Sequence, residues 1–290
     1  MTGSIVLLGA SGRLGGAALP LFTAAGFEVI AVSRTRPEPR RDSMWIGADL
    51  TDQRAQTAVA TAVDRLTAGQ QHVWVVDSVL DRSGVDAMRR SIDAATTTVL
   101  RLHTNLAGRG RTCVLIAAST TAVLAPGLLQ TPYGLTKRRQ VVTYARTGLP
   151  GGALLLPQLA STPPFPSRCT FSEAAQELVN CALRGPAGFT LRIPAGVGAT
   201  TGPNATAIHS EGSAMLAHLY SLLLRRDSMY AHRAAARARL RLTPRRLRSL
   251  VDHRLAPPEL VRRFTHRYRL TVIDDRDPRF TPTHEGADRV

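Results

Sequence analysis

Tyr133 and Lys137 stand four residues apart in the segment Tyr133-Gly134-Leu135-Thr136-Lys137, and Ser119 lies fourteen residues before the tyrosine. On a helix, positions i and i+4 share a face, which sets an ammonium beside a phenol. A cation there favours phenolate and lowers the tyrosine pKa towards working pH, so that the phenol can act as an acid or a base. The lysine is informative by position, because it is the only one of the 37 basic residues that is not arginine. With five tyrosines in 290 residues, a sole lysine falls four after one of them by chance in only about 2% of cases. A compact ammonium is not interchangeable with a planar guanidinium, which explains why this position escaped the arginine bias. Ser119, Tyr133 and Lys137 are therefore the candidate catalytic residues, with Thr120 as the rival for the serine's role.

A second pattern lies at the start of the chain, where Ser4–Leu8 reads as a strand and runs into Gly9-Ala10-Ser11-Gly12-Arg13-Leu14-Gly15-Gly16. Glycines at this spacing, between a strand and a helix, allow a tight turn, close approach of a pyrophosphate and close helix–strand packing. The phosphates then meet the N–H groups at the positive end of the helix. Gly9, Ser11, Gly12, Arg13, Leu14 and Gly15 are the candidate nucleotide-binding residues of this turn. The end of the second strand reads Val32-Ser33-Arg34-Thr35. An acid there would accept from a ribose 2′-hydroxyl. A hydroxyl and a guanidinium suit a 2′-phosphate instead, with Arg13 as a second cation. NADP(H) is thus expected over NAD(H), held in part by Ser33 and Arg34.

The elements that must position these residues alternate along the chain. Strand-like runs at Ser4–Leu8, Glu28–Val32, Met44–Ile46, His72–Val76, Thr112–Ala118, Ala153–Leu156 and Phe189–Ile193 are separated by helical patterns. The helical stretches are Leu14–Ala25, Gln53–Thr67, Val85–Leu106, Tyr133–Thr147 and Ser172–Leu183. Each connection is long enough for a right-handed crossover, so the expected fold is α/β: a Rossmann-type, doubly wound parallel sheet of about seven strands with a helical C-terminal extension. The expected organisation is a nucleotide-binding domain over 1–198, an arginine-rich helical cap or substrate region over 199–275 and a flexible tail over 276–290. The three cysteines, Cys113, Cys169 and Cys181, lack metal-ligand spacing, so neither a zinc site nor a disulfide framework is expected. No apolar run reaches the length of a membrane span and no signal segment opens the chain, so a soluble, cytoplasmic protein is expected.

In order and approximate spacing, the glycine turn, Asp49-Leu50 after the third strand, Ser119 and the Tyr-x-x-x-Lys helix resemble the short-chain dehydrogenase/reductase family, and the likeness covers about residues 3–198. The resemblance implies that Tyr133 protonates a carbonyl oxygen while hydride arrives from a nicotinamide. It implies that Lys137 holds the ribose and tunes the phenol, that Ser119 bonds the substrate oxygen, and that Asp49 and Leu50 line the adenine site. Pro157 would line the nicotinamide pocket. Family members often pair through the helices next to the tyrosine, which implies a homodimer. The chain departs from the pattern after the fourth strand, where the usual Asn-Ala-Gly turn is replaced by Val76-Asp77-Ser78-Val79-Leu80-Asp81. No asparagine matches the family's helical proton-relay residue. The chain is thus closer to extended or atypical members. In such members the same site also serves epimerases, dehydratases and cyclisations, and the implied substrate is a small organic molecule of biosynthetic origin.

The net charge of +16 is concentrated in residues 225–269, which hold 14 arginines and three acids. Three readings of this stretch stay open: a solvated helical cap, a face that docks an acidic carrier protein, and a nucleic-acid surface. Aromatics at 5% of residues are few for base stacking, which disfavours the last. A non-enzymatic nucleotide-sensing or partner-binding protein is the remaining alternative, and the intact tyrosine–lysine pair weighs against it.

Overall fold

Parallel strands covered on both faces must be apolar on both, and β1 (Ser4–Leu8) is buried along its whole length. Its Ile5, Val6, Leu7 and Leu8 are completely buried, each worth on the order of 2 kcal/mol of transfer free energy. The computed structural model describes residues 3–37, 43–124, 131–157, 159–160, 169–185, 188–195 and 258–275. In chain order the elements are β1, α1 (Arg13–Ala24), β2 (Glu28–Ser33), β3 (Ser43–Gly47), α2 (Gln53–Leu66), β4 (His72–Asp77) and α3 (Val85–Ala107). There follow β5 (Thr112–Thr120), a 3-10 turn (Thr121–Leu124), α4 (Pro132–Arg146), β6 (Gly151–Leu156), β7 (Leu159–Ala160) and β8 (Cys169–Thr170). The chain continues through α5 (Phe171–Leu183), β9 (Phe189–Ile193), α6 (Pro258–Tyr268) and β10 (Thr271–Asp274).

The main sheet has eight strands in the order β10-β9-β6-β5-β4-β1-β2-β3, and every pairing in it is parallel. The order reverses between β1 and β4, which leaves a crevice at the carboxyl ends of those strands. Period-2 alternation divides the core into two halves. Val6, Leu8, Val73, Val75, Leu115 and Ala117 face α2, α3, α4 and α6. Ile5, Leu7, Trp74, Val76, Ile116 and Ala118 face α1 and α5. This is the expected doubly wound α/β architecture.

Three strands go beyond the seven expected: the two-residue β7 and β8, which pair with each other in a second sheet, and one strand of the main sheet. Thr271–Asp274, assigned from the sequence to the helical extension, is the eighth strand and pairs with β9 in register Thr271↔Thr190 to Asp274↔Ile193. Arg192 Nε and Nη2 donate to the two Asp275 carboxylate oxygens at 2.9 and 2.6 Å, which fastens that edge. Val261 and Phe264 of α6 enter the main core, so the sheet does not close at Gly198. A four-residue strand flanked by Arg269 and Asp275 carries too short an apolar run to stand out by periodicity. The expected cap and tail over 199–257 and 276–290 lie outside the described residues.

Candidate active site

The glycine turn is built by close backbone contact. Gly9 has φ +82°, a left-handed conformation that glycine adopts without strain. A Cβ at Gly15 would lie 2.2 Å from the Gly9 carbonyl oxygen, so only glycine lets α1 come this near β1. Ser78, at the end of β4, donates its Oγ–H to the Leu8 carbonyl at 2.7 Å and closes the turn from the other side. Gly12 is the N-cap of α1 and supplies no side-chain cap, and the first turn of the helix carries no acid. The unclaimed N–H groups of that turn, with Ser11, Gly12 and Arg13 exposed around them, suit a phosphate. Leu14 and Gly15 are buried and anchor the helix.

Tyr133 and Lys137 sit in the first turns of α4. Thr131 is the N-cap, accepting from the Gly134 N–H at 2.9 Å, and Pro132 follows it at the start of the helix, a position where its missing N–H costs nothing. Lys137 is 2% exposed. Its Nζ donates to the Ala118 carbonyl at 3.0 Å and to Gln140 Oε1 at 2.9 Å, which brings the ammonium to the end of β5, beside Ser119. Burial lowers the Lys137 pKa and Asp77 opposes the shift.

Strand alternation places the two hydroxyls of β5 on opposite faces of the sheet. Ser119 falls on the face of Leu115 and Ala117, the face that packs under α4. Thr120 falls on the face of Ile116 and Ala118, and its Oγ1 accepts from the Ala122 N–H at 3.2 Å. The Ser119 hydroxyl is buried and has no hydrogen-bond partner among the described residues. A buried, unsatisfied hydroxyl costs on the order of 1–3 kcal/mol, a price that a bound oxygen would remove.

Tyr133 is half-buried and packs on Val85, Met88 and Ile92 of α3. The sequence reading expected Lys137 to lower its pKa. Instead burial pushes the phenol up to about 12, with Arg82 pulling it down and Asp77 pushing it up. The Lys137 ammonium donates to the Ala118 carbonyl and Gln140 and is not among the groups that move the phenol.

The chain aligns with YwfH, an NADPH-dependent reductase involved in bacilysin biosynthesis, at TM-score 0.50 and 10% identity, over 63% of this chain and 92% of that one. It aligns with a 3-ketoacyl-(acyl-carrier-protein) reductase from Brucella melitensis in complex with NADH at TM-score 0.48 and 15% identity, over 61% and 89%. A short-chain dehydrogenase from Leptospira borgpetersenii with bound NAD+ aligns at TM-score 0.47 and 11% identity, over 56% and 73%. No family model and no curated protein matches the sequence. The fold is that of the short-chain dehydrogenases/reductases.

Within that short-chain dehydrogenase/reductase fold, the residues expected at the adenosine end are each engaged locally. Ser33 donates its hydroxyl to the Thr35 carbonyl at 2.7 Å. Asp49 accepts from the Thr51 N–H and Oγ1 at 3.0 and 2.8 Å, both on Oδ1. These bonds hold its carboxyl below the usual range. Leu50 is buried in the core. Arg13 lies over the Phe171 ring, 6.0 Å from its centroid. Arg34 is 63% exposed and meets Asp81 at 3.3 Å. Because β1 lies between β2 and β4, this pair spans the carboxyl end of β1. The acid beside Arg34 thus comes from the loop after β4 and not from the end of β2, where an acid would be legible in the sequence. Pro157 is buried directly after β6, while the proline-rich segment 161–168 lies outside the described residues.

Three further residues escaped sequence reasoning. Asp77 Oδ2 accepts from Gln140 Nε2 at 2.8 Å and from the Tyr144 hydroxyl at 2.9 Å. Asp77 and Tyr144 are fully buried and Gln140 nearly so. The one available signal was the departure from Asn-Ala-Gly at Asp77. The C-terminal segment also supports the site, because Arg138 donates to the Val123 carbonyl at 2.7 Å and lies 5.6 Å from the Phe264 ring centroid. That clamps α4 to the 3-10 turn and to α6. Among the described residues no three metal-ligating side chains come together, and no helix is long and apolar enough to cross a membrane.

Proposed function

We propose that the protein is an NADP(H)-dependent carbonyl reductase or dehydrogenase of the short-chain type, acting on a small organic substrate. The observation that carries this reading is the unpartnered, buried Ser119 hydroxyl, which shares its sheet face with α4, the helix that bears Tyr133 and Lys137. At the switch point of the same sheet lies the uncapped N-terminus of α1. The Gly9–Gly15 backbone and that N-terminus would hold the pyrophosphate, Arg34 the 2′-phosphate, Lys137 a ribose hydroxyl and Pro157 the nicotinamide ring. The cofactor, when bound, supplies or accepts the hydride. Ser119 then satisfies its hydroxyl on the substrate oxygen, and Tyr133 gives that oxygen its proton. A phenol pushed up to about 12 is fully protonated at neutral pH, which favours proton donation and hence the reductive direction.

The preference for the 2′-phosphate rests on the exposed Arg34 guanidinium and the absence of an acid in Val32-Ser33-Arg34-Thr35. The test is to titrate the full chain with NADPH and NADH by calorimetry, then to follow NADPH consumption with a panel of aldehydes and ketones. Tighter binding of NADPH with turnover of a carbonyl supports the reading. Absence of binding by either nucleotide ends it, and binding without hydride transfer to any carbonyl turns it towards the non-redox chemistry of isomerases, dehydratases and cyclases.

A further inference from the structure

Lys137 and Asp77 are both buried, at 2% and 0% exposure, yet their bonds run through a neutral side chain placed between them. Gln140 presents Oε1 to the Lys137 ammonium at 2.9 Å and Nε2 to Asp77 Oδ2 at 2.8 Å. Only one orientation of the amide satisfies both neighbours, because an ammonium can only donate and a carboxylate can only accept. The orientation is locked further: Nε2 also lies 3.1 Å from Thr96 Oγ1, and the Tyr144 hydroxyl donates to the same Asp77 oxygen at 2.9 Å. Asp77 Oδ1 accepts from the Val79 N–H at 3.2 Å. Among the described residues, the Ala118 carbonyl and Gln140 use two of the three ammonium donors, and one is left.

We propose that Asp77 and Gln140 are positioning residues for Lys137: the Gln140 amide, oriented by Asp77, holds the ammonium at the Ala118 carbonyl and keeps its third donor for the site beside Ser119. A direct Lys137–Asp77 pair would draw the ammonium into the core and spend that donor on the carboxylate. Without a counter-charge, a buried ammonium would tend to lose its proton. A spacer amide between the charges avoids both outcomes. The groups that meet Lys137 are the Ala118 carbonyl on β5 and Gln140 on α4, with the Asp77 charge on β4 acting on it and, through Gln140, Thr96 on α3 and Tyr144 on α4. Asp77 is the carboxylate of this set. The proposal rests on the proposed function only for the use to which the third donor is put.

The chain itself supplies the probe, because Lys137 is its only lysine. Protein labelled with 13C at lysine Cε gives one lysine signal by NMR without assignment, and its pH titration reads the Lys137 ammonium directly with no cofactor present. Asp77→Asn keeps an acceptor for Gln140 and Tyr144 but removes the charge, and should move the midpoint down by about one pH unit. Gln140→Glu sets a carboxylate against the ammonium and should move it up. A purely structural role for these residues predicts lower thermal stability in both variants and an unmoved lysine midpoint, and that result overturns the proposal. If Asp77→Asn does not fold, Gln140→Glu decides alone: an upward shift supports the proposal and an unchanged midpoint overturns it. NADPH added to the wild type reports separately on the proposed function. Shifted midpoints in a protein that binds no nucleotide leave the positioning role standing and remove the cofactor reading.

Discussion

Lys137 Nζ lies 3.0 Å from the Ala118 carbonyl oxygen, one residue before a serine whose buried hydroxyl has no partner among the described residues. The two hydroxyls at the end of β5, Ser119 and Thr120, are expected to respond differently to removal. Ser119→Ala should raise the thermal stability of the free protein by about 1 kcal/mol, because it removes a buried hydroxyl that has no partner among the described residues. Turnover should fall by on the order of 100-fold, as for the loss of one donor to a developing oxyanion. Thr120→Val removes the acceptor of the Ala122 N–H, should cost about 1 kcal/mol of stability, and should spare turnover. Chemical denaturation and steady-state kinetics on the two variants check the split.

The glycine turn should tolerate no side chain at its third glycine. A Cβ at Gly15 meets the Gly9 carbonyl at 2.2 Å, so Gly15→Ala must push α1 away from β1. The expected result is a loss of about 1–3 kcal/mol together with loss of NADPH affinity. Gly26, where a Cβ meets nothing within 4 Å but φ is +84°, should lose stability on substitution without losing nucleotide affinity. Calorimetry with NADPH on both variants separates packing from binding.

Arg34 and Asp81 should set nucleotide preference in opposite directions. Arg34→Ala should weaken NADPH far more than NADH, and equal losses would contradict the 2′-phosphate role. Asp81→Asn frees the guanidinium from a pair that is largely solvated on the arginine side, where such pairs are worth under about 1 kcal/mol. It should therefore tighten NADPH by about two- to five-fold and leave NADH unchanged. Competition binding with adenosine 2′-phosphate and 5′-phosphate isolates the adenosine end.

The phenol sets the pH dependence. Burial pushes Tyr133 up to about 12, so below that pH the protonated form dominates. Reductive turnover should retain its proton donor throughout the neutral range. The oxidative direction needs phenolate, and its rate should rise about tenfold per pH unit until another group intervenes. Rate profiles in both directions, measured on one carbonyl–alcohol pair, check this asymmetry.

Most of the scaffold was legible because parallel strands and crossover helices write their periodicity into the chain. β1 and β9 fall where the apolar runs place them, and the other core strands differ at their ends by a residue or two. Spacing and a lysine count of one single out Ser119, Tyr133 and Lys137, and the fold sets Ser119 at the end of β5 and the other two in the first turns of α4. The rest depended on long-range pairing that no local pattern encodes. Asp77 and Gln140 meet across 63 residues, Arg34 and Asp81 across 47, and Arg192 and Asp275 across 83. The direction of the Tyr133 shift was missed for the same reason. Helical spacing puts Lys137 on the correct face, but the Ala118 carbonyl that takes its ammonium belongs to another element.

The most direct measurement of the central claim is NADPH affinity and carbonyl turnover of Tyr133→Phe beside the wild type, on the full chain. Phenylalanine keeps the packing on Val85, Met88 and Ile92 and removes only the hydroxyl. The predicted result is NADPH affinity within about twofold of wild type and turnover lower by on the order of 100- to 10,000-fold, the usual worth of a positioned acid. Full turnover in Tyr133→Phe would contradict the account.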